Sequence, residues 1–238
     1  MKHLFAAVVA FSLVSGMGQV FAGERPDQGG RNDRAVVDQR LVDRAADSSR
    51  ILDDYMIGSK SIPTSLLAHA QCVVVIPSLV KAGFIWGGKT GAGLASCRTA
   101  QGWSNPSFTN IHGGSFGLQA GVSVTELVLV FTSTKAVHQL SVGDLTLGGD
   151  ASIVIGPMGR DAQAGTDYEL QTEIYTYSRS KGLFAGIAFD GSIVTPNNHN
   201  NRKMYGPGFA ATSLLTTKTS DGPAALVEFS NRLDRYAP

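Results

Sequence analysis

Residues Cys72–Arg98 read CVVVIPSLVKAGFIWGGKTGAGLASCR, and this stretch decides the fold. Cys72–Ile76 is an unbroken, largely β-branched apolar run, the pattern of a strand buried on both faces, with Pro77-Ser78 expected to end it. The second half is rich in glycine, and the stretch is bracketed by the only two cysteines in the chain. Within it, Gly83-Phe84-Ile85-Trp86-Gly87-Gly88-Lys89-Thr90 fits the phosphate-cradling pattern G-x-x-x-x-G-K-S/T letter for letter. That motif works when a strand leads into a loop of backbone N–H groups and a helix starts at the Lys-Thr end. Here the loop letters Phe84-Ile85-Trp86 are bulky and strand-like. Gly91-Ala92-Gly93 follows, poor helix material at ~1 kcal/mol per glycine relative to alanine. The stretch therefore reads as two strands, Phe84–Trp86 and Leu94–Cys97, around a glycine tip that carries Lys89 as a surface cation, and no nucleotide is expected.

Outward from this stretch, the N-terminal side is helical. Val37, Leu41, Ala45, Leu52 and Met56, widened by Val42 and Tyr55, mark an amphipathic helix over Asp33–Ile57. Its charged face is net acidic, so it is expected to pack on a sheet rather than lie on a membrane. Pro63 opens a short helix to Ala70. On the C-terminal side come Trp103, Ser107–Ile111, Ser115–Val122 and the buried run Leu127–Phe131, then a helix to Leu140 capped within Thr132-Ser133-Thr134. Further strand material is read at Gly143–Ile155, Leu170–Tyr177, Leu183–Phe189 and Ser192–Thr195. Turns are read at Gly156–Gly159, Ser178–Gly182 and Asp190-Gly191. Asn197–Lys203 reads as a solvated loop, Phe209–Leu215 as a short helix, and Asp221-Gly222-Pro223 as the start of a last helix through Leu233. The class is α+β: a strongly curved, mostly antiparallel or barrel-like sheet flanked by N-terminal and C-terminal helices.

The first residues follow a different logic. Met1-Lys2-His3, the apolar run Leu4–Val14 and Val20-Phe21-Ala22 have the form of a secretory signal peptide cleaved after Ala22. With no cysteine beside that point, no lipid anchor is expected. Polar, glycine-rich Gly23–Asn32 reads as a disordered lead-in, and 33–238 as a single domain. Removing Met1–Ala22 takes away Lys2 and leaves equal numbers of basic and acidic residues. A net charge of zero lacks the basic footprint of a nucleic-acid binder. An exported chain with two cysteines favours a Cys72–Cys97 disulfide between strand ends that could pair. Two separate buried thiols are the alternative.

Signatures of chemistry are weak. Gly113-Gly114-Ser115-Phe116-Gly117 fits G-x-S-x-G, yet a nucleophile elbow needs a helix after the serine, and Leu118–Val122 continues as strand. Asp144, Asp150, Asp161, Asp167 and Glu173 show no metal-ligand spacing, and Asp144 and Asp150 suit turn N–H groups. No enzyme, metal or cofactor is indicated. Lys81, Lys89, Arg98, Arg160, Arg179 and Lys181 fall at strand ends or turns, several beside serines or glycines. They are either ordinary solvated hairpin tips or parts of a phosphate-holding surface.

Several runs, in order, carry a resemblance. They are Ile62-Pro63 with Leu66-Leu67 and Ala70, Val75-Ile76-Pro77, Lys81-Ala82-Gly83-Phe84, Gly87-Gly88 with Gly91 and Gly93, Gly114–Gly121, Leu127–Phe131 and Gly156-Pro157 with Gly159-Arg160. The most specific is Tyr177-Ser-Arg-Ser-Lys-Gly-Leu-Phe-Ala-Gly186. Together they resemble the SYLF domain from about Asp33 to Gly206, departing at Glu126, where an aspartate is expected. The resemblance implies non-catalytic binding of an anionic phospholipid membrane, by a periplasmic or secreted protein. Lys81, Lys89, Arg160, Arg179 and Lys181 are then the headgroup candidates. The alternative is an envelope scaffold or adaptor whose partner is another envelope protein.

Overall fold

A strand with apolar side chains on both sides needs a layer against each, and the molecule supplies both. The computed structural model describes residues 38–57, 61–83, 86–116, 121–157, 172–182, 189–219 and 222–238. All belong to one compact unit, Arg34–Pro238. The stretches read as a signal peptide and a lead-in, and most of the expected Leu183–Phe189 strand, lie outside the described residues.

Helices α1 (Gln39–Met56) and α2 (Thr64–His69) come first, then strands β1 (Cys72–Gly83), β2 (Trp86–Thr99), β3 (Gly102–Trp103), β4 (Ser107–Phe116) and β5 (Gly121–Phe131). After α3 (Thr134–Val142) come β6 (Leu145–Thr146), β7 (Ile153–Ile155), β8 (Ile174–Gly182) and β9 (Ile193–Pro196). Helices α4 (Asn198–Tyr205), α5 (Ala211–Leu214) and α6 (Ala224–Tyr236) close the chain. The sheet runs β6-β9-β4-β2-β1-β5-β8-β7, with β3 beside β2. Among the described strands only β7–β8 is a parallel pair. This is the expected class: α+β, a strongly curled half-barrel sheet with helices towards both ends of the chain.

The apolar run of β1 divides as strand geometry requires. Val73 and Val75 enter one core with α1, α2 and α6, joined by Leu94, Phe108, Val128 and Val130. Val74 and Ile76 enter a second core with Leu127, Leu129, Phe131 and residues of α3 and α5. Cys72 and Cys97 are register partners and form a disulfide across β1 and β2. α1 starts at its N-cap Asp38, which accepts from the Arg40 N–H. It is tied to α6 through Asp53, which pairs with Arg232 and accepts from the Tyr236 hydroxyl at 2.9 Å.

Four expectations are corrected. β1 does not stop at Pro77. It carries one extra residue against both neighbours, between Val75 and Ser78 and between Ile76 and Leu79, and a bulge is where a strand tolerates a proline. β2 is one strand rather than two around a glycine tip. Its glycines admit the bulged strand: a Cβ on Gly93 would stand 1.8 Å from the Val75 carbonyl oxygen. Ser178–Gly182 is not a turn but the continuation of β8, paired with Ser123–Leu127. Asn197–Lys203 is not a loop, because Asn197 caps α4 and buried Asn201 is bonded into the sheet. Its carbonyl oxygen accepts from the Phe108 N–H at 2.7 Å, and its amide donates to Ser107 Oγ at 2.9 Å.

Candidate binding surfaces at the hairpin end of the sheet

The bulge in β1 resets the alternation. Beyond it, the helix-side face carries Val80, with Val124 as its partner on β5, then Ala82 beside Val122. The opposite face carries Leu79 and Lys81. On the helix side the layer runs out here: Val80, Val122 and Val124 are exposed, and Trp86 is 77% exposed. A Cβ on Gly88 or on its partner Gly114 would meet nothing within 4 Å. The result is a shallow apolar platform, partly bare backbone, on a face with no described element over it.

Arg179 stands where the helix layer gives way to this platform. It lies across from Glu126, with Nη1 3.6 Å from the Glu126 carboxylate and 4.0 Å from Asp54 of α1. Its guanidinium sits 5.0 Å over the Tyr55 ring, the geometry of a cation–π contact. Glu126 is buried, while the Arg179 side chain is half exposed. Burial, offset in part by Arg179 and reinforced by the carboxylates of Glu126 and Asp54, pushes the Tyr55 phenol up to about 12. Arg179 therefore couples α1 to β5 and β8.

The other face is polar where the platform is apolar. Lys81 and Lys89 are direct cross-strand partners, and Ser123 is the partner of Lys81 on β5. Lys89 is 4% exposed. It is a mid-strand buried residue, not the surface cation of a hairpin tip. Burial first, then the charge of Lys81, holds its ammonium below the ordinary lysine range, while Asp190 acts the other way. Its partner on β4 is Gly113, over which its stem passes: a Cβ there would stand 2.8 Å from Lys89 Cε.

The five headgroup candidates are thus not one cluster. Lys81 and Lys89 stand side by side on one face, and Arg179 is on the other. Lys181 is in β8, its backbone paired with Val124, with its side chain outside the described residues. Arg160 is also outside them. Arg98 is a structural residue, donating to the carbonyls of Ala70, Leu67 and Pro238 and stacking 4.9 Å over Trp103. Sequence reasoning missed Ser123, Val122 and Val124. The available signal was Val122-Ser123-Val124-Thr125, an alternation whose apolar members face outward.

The other motifs resolve as strand. Lys89-Thr90 continues in β2 without a helix, and Ser115 lies within β4 opposite Gly87. Asp150 accepts from the Thr146 N–H at 2.8 Å, a turn role that holds its carboxyl below the usual range. Among the described residues no group of His, Cys, Asp and Glu is placed to hold a metal, and no helix is long and apolar enough to cross a membrane.

Comparison with known proteins adds the lineage. The family model described as "Ysc84: Las17-binding protein actin regulator" matches residues 112–236. The chain is 36% identical over 168 residues to protein YSC84 of Saccharomyces cerevisiae, covering 69% of this chain and 36% of that protein. An SH3 domain-containing protein of Schizosaccharomyces pombe is also 36% identical over 168 residues, covering 69% and 39%. SH3 domain-containing YSC84-like protein 1 of Xenopus laevis is 38% identical over 149 residues, covering 62% and 44%. The chain spans about two fifths of the length of these relatives. The family match begins within β4 and runs through β5, β8 and the last helices, and the chain belongs to the Ysc84 (SYLF) domain family.

Proposed function

We propose that this chain is a non-catalytic module that attaches to an anionic phospholipid surface through the hairpin end of its sheet. The observation that carries this reading is the exposed platform. Trp86, Val80, Val122 and Val124 point outward on one face at the end where Lys81 occupies the other. An amphipathic indole at the edge of an apolar strip is suited to the bilayer interface. Lys81 then stands within reach of phosphate groups. Arg179, held by Glu126 and Asp54, contributes mainly to the structure beneath, and Lys89 is too buried to meet a flat bilayer. The Cys72–Cys97 disulfide supports an exported, oxidising location, periplasmic or secreted.

The test uses the chain's own fluorophores. Of its two tryptophans, Trp103 is fully buried and Trp86 exposed. Vesicles containing phosphatidylglycerol should shift the emission to the blue, and brominated acyl chains should quench it. Co-sedimentation should fall steeply in Trp86→Ser and, at low salt, in Lys81→Glu. Equal, negligible sedimentation with anionic and neutral vesicles overturns the reading.

A second reading is a protein-binding scaffold, favoured by the family description, which is of binding to a protein, Las17. Capture of a stoichiometric protein partner on the same platform, with no response to vesicles, selects it.

A further inference from the structure

The apolar platform and the flank of α1 meet along one line, and together they make a groove with a floor and a wall. α1 crosses the sheet. Its last turn lies against Glu126 of β5 and Arg179 of β8. Its first half overhangs a cleft of about 310 Å³, which Arg40, Asp43, Arg44 and Asp47 line together with Pro77 and Ser78 of β1. From Ser78 to its end at Gly83, β1 advances about 17 Å at ~3.3 Å per residue. That is room for one helix of ~10–12 Å diameter and not for two. Across it the floor is formed by β4, β2, β1 and β5, about 19 Å at ~4.8 Å per strand, the length of about 13 helical residues.

The floor is not level. Val122, Ala82, Gly88 and Gly114 form one register row across it, all exposed. The row is high at β5 and bare at β2 and β4, a notch in which a bulky side chain from above reaches backbone. The wall supplies charge. Arg40 and Arg44 are one helical turn apart, a spacing at which like charges repel. Among the described residues neither forms an ion pair or a side-chain hydrogen bond. The nearby carboxylates are turned elsewhere: Asp38 to Lys203 at 2.8 Å, Asp43 to Gln39 at 2.8 Å, and Asp47 towards Arg50 at 4.0 Å. A bilayer meets the tip of the sheet, where Trp86 stands. A flat surface does not follow the floor to the foot of a helix standing on it, whereas a cylinder does.

We propose that this groove takes an amphipathic helix of a partner protein, with about 13 residues in contact, lying across the strands beside α1. Its apolar stripe rests on Val80, Val122 and Val124, and one bulky side chain fills the notch over Gly88 and Gly114. Carboxylates on its flank meet Arg40 and Arg44. The bound helix completes, next to α1, the layer that this part of the sheet lacks. The proposal rests on the protein-binding reading and adds a competition to it, since a helix in the groove keeps a bilayer off Val80 and Val124.

The probe is a fluorescently labelled helical peptide of about 16 residues, with leucines at i, i+3, i+4 and i+7 spacing and two glutamates one turn apart on one flank. A second peptide carries lysines in place of the glutamates. Anisotropy with the full chain should show the glutamate peptide binding about tenfold more tightly than the lysine peptide, and Arg40→Glu/Arg44→Glu should reverse that preference. Gly88→Val/Gly114→Val should fold as the wild type, because a Cβ at either position meets nothing within 4 Å and valine suits a strand. By filling the notch it should weaken the glutamate peptide by about tenfold. Sedimentation of the same variant with phosphatidylglycerol vesicles should not fall, because it gains apolar area. Peptide binding indifferent to the two valines, no preference between the flanks, or no saturable binding up to about 1 mM overturns the groove. Vesicle binding without peptide binding makes the bilayer its sole occupant and overturns it equally. A captured protein partner that is indifferent to the two valines binds elsewhere, which overturns the groove while the scaffold reading stands.

Discussion

Replacing Arg179 separates structure from binding at the hairpin end. At 3.6 Å from the Glu126 carboxylate, and at an effective dielectric of about 20, the gross attraction is about 4–5 kcal/mol. The arginine side chain is half exposed, so solvent screens much of this and the net coupling falls to about 1–2 kcal/mol. The two partners do not lose equally. Arg179→Met keeps an aliphatic stem over the Tyr55 ring but removes the guanidinium beside a buried carboxylate, at a cost of about 2–4 kcal/mol. Glu126→Gln removes the buried charge and leaves a half-exposed guanidinium that water can solvate, at a cost of about 1 kcal/mol. The double variant should therefore be less destabilised than the sum of the two. Urea unfolding of the wild type, both single variants and the double variant, at constant pH and ionic strength, closes the cycle. A coupling within about 0.5 kcal/mol of zero, or a larger loss for Glu126→Gln than for Arg179→Met, refutes Arg179 as a structural tie. If the cycle behaves as expected, weak vesicle binding by Arg179→Glu reports a loosened α1–β5–β8 junction as much as a lost headgroup contact. Trp86 and Lys81 are then the residues that test binding.

Two further outcomes follow from the same geometry. The Cys72–Cys97 bridge spans a sequence separation of 25, so Cys72→Ala/Cys97→Ala should lose about 3 kcal/mol of unfolding free energy through the freed unfolded chain; a loss below about 1 kcal/mol in urea melts contradicts this. Tyr55, with its phenol raised to about 12 from 10, stays protonated in the folded chain where the unfolded chain ionises. Its contribution is complete below pH 10 and is lost as pH rises through 12. Relative to Tyr55→Phe, the wild type should lose about 2–3 kcal/mol over that interval, and parallel pH profiles for the two proteins rule it out.

The parts of the fold that were legible are those where local pattern and tertiary structure agree. The run Val73–Ile76 announces a strand with a core on each side, and both cores are present. The stripe from Leu41 to Met56 announces the helix that covers one of them. What could not be read depends on distant partners. Asn197–Lys203 is polar throughout, and its helix is anchored by bonds that buried Asn201 makes to β4, about ninety residues earlier in the chain. Glycines 87, 88, 91 and 93 resemble turn chemistry, but Gly91 and Gly93 make room for a neighbouring strand. Lys89 looked like a surface cation because a strand's burial is set by what covers it. The outward Val122 and Val124 were hidden for the same reason, since the inverted alternation makes sense only beside the polar face on the other side of the sheet. The resemblance through Tyr177–Gly186 located the right strand, β8. That Arg179 of β8 ties the fold became visible only with Glu126 and Asp54 in place.

The extra residue in β1 works as a phase shifter. Upstream of it, even-numbered side chains face the α3 side and odd-numbered ones face α1. Downstream the assignment is exchanged, and that exchange alone puts Val80 outside and Lys81 within. Deleting Pro77 would leave the strand's composition nearly intact yet exchange the chemistry of its two surfaces, presenting Lys81 on the platform and Val80 to the polar row. The division of this protein into a greasy side and a charged side therefore rests on a count of residues, and a one-residue deletion within β1 would abolish it.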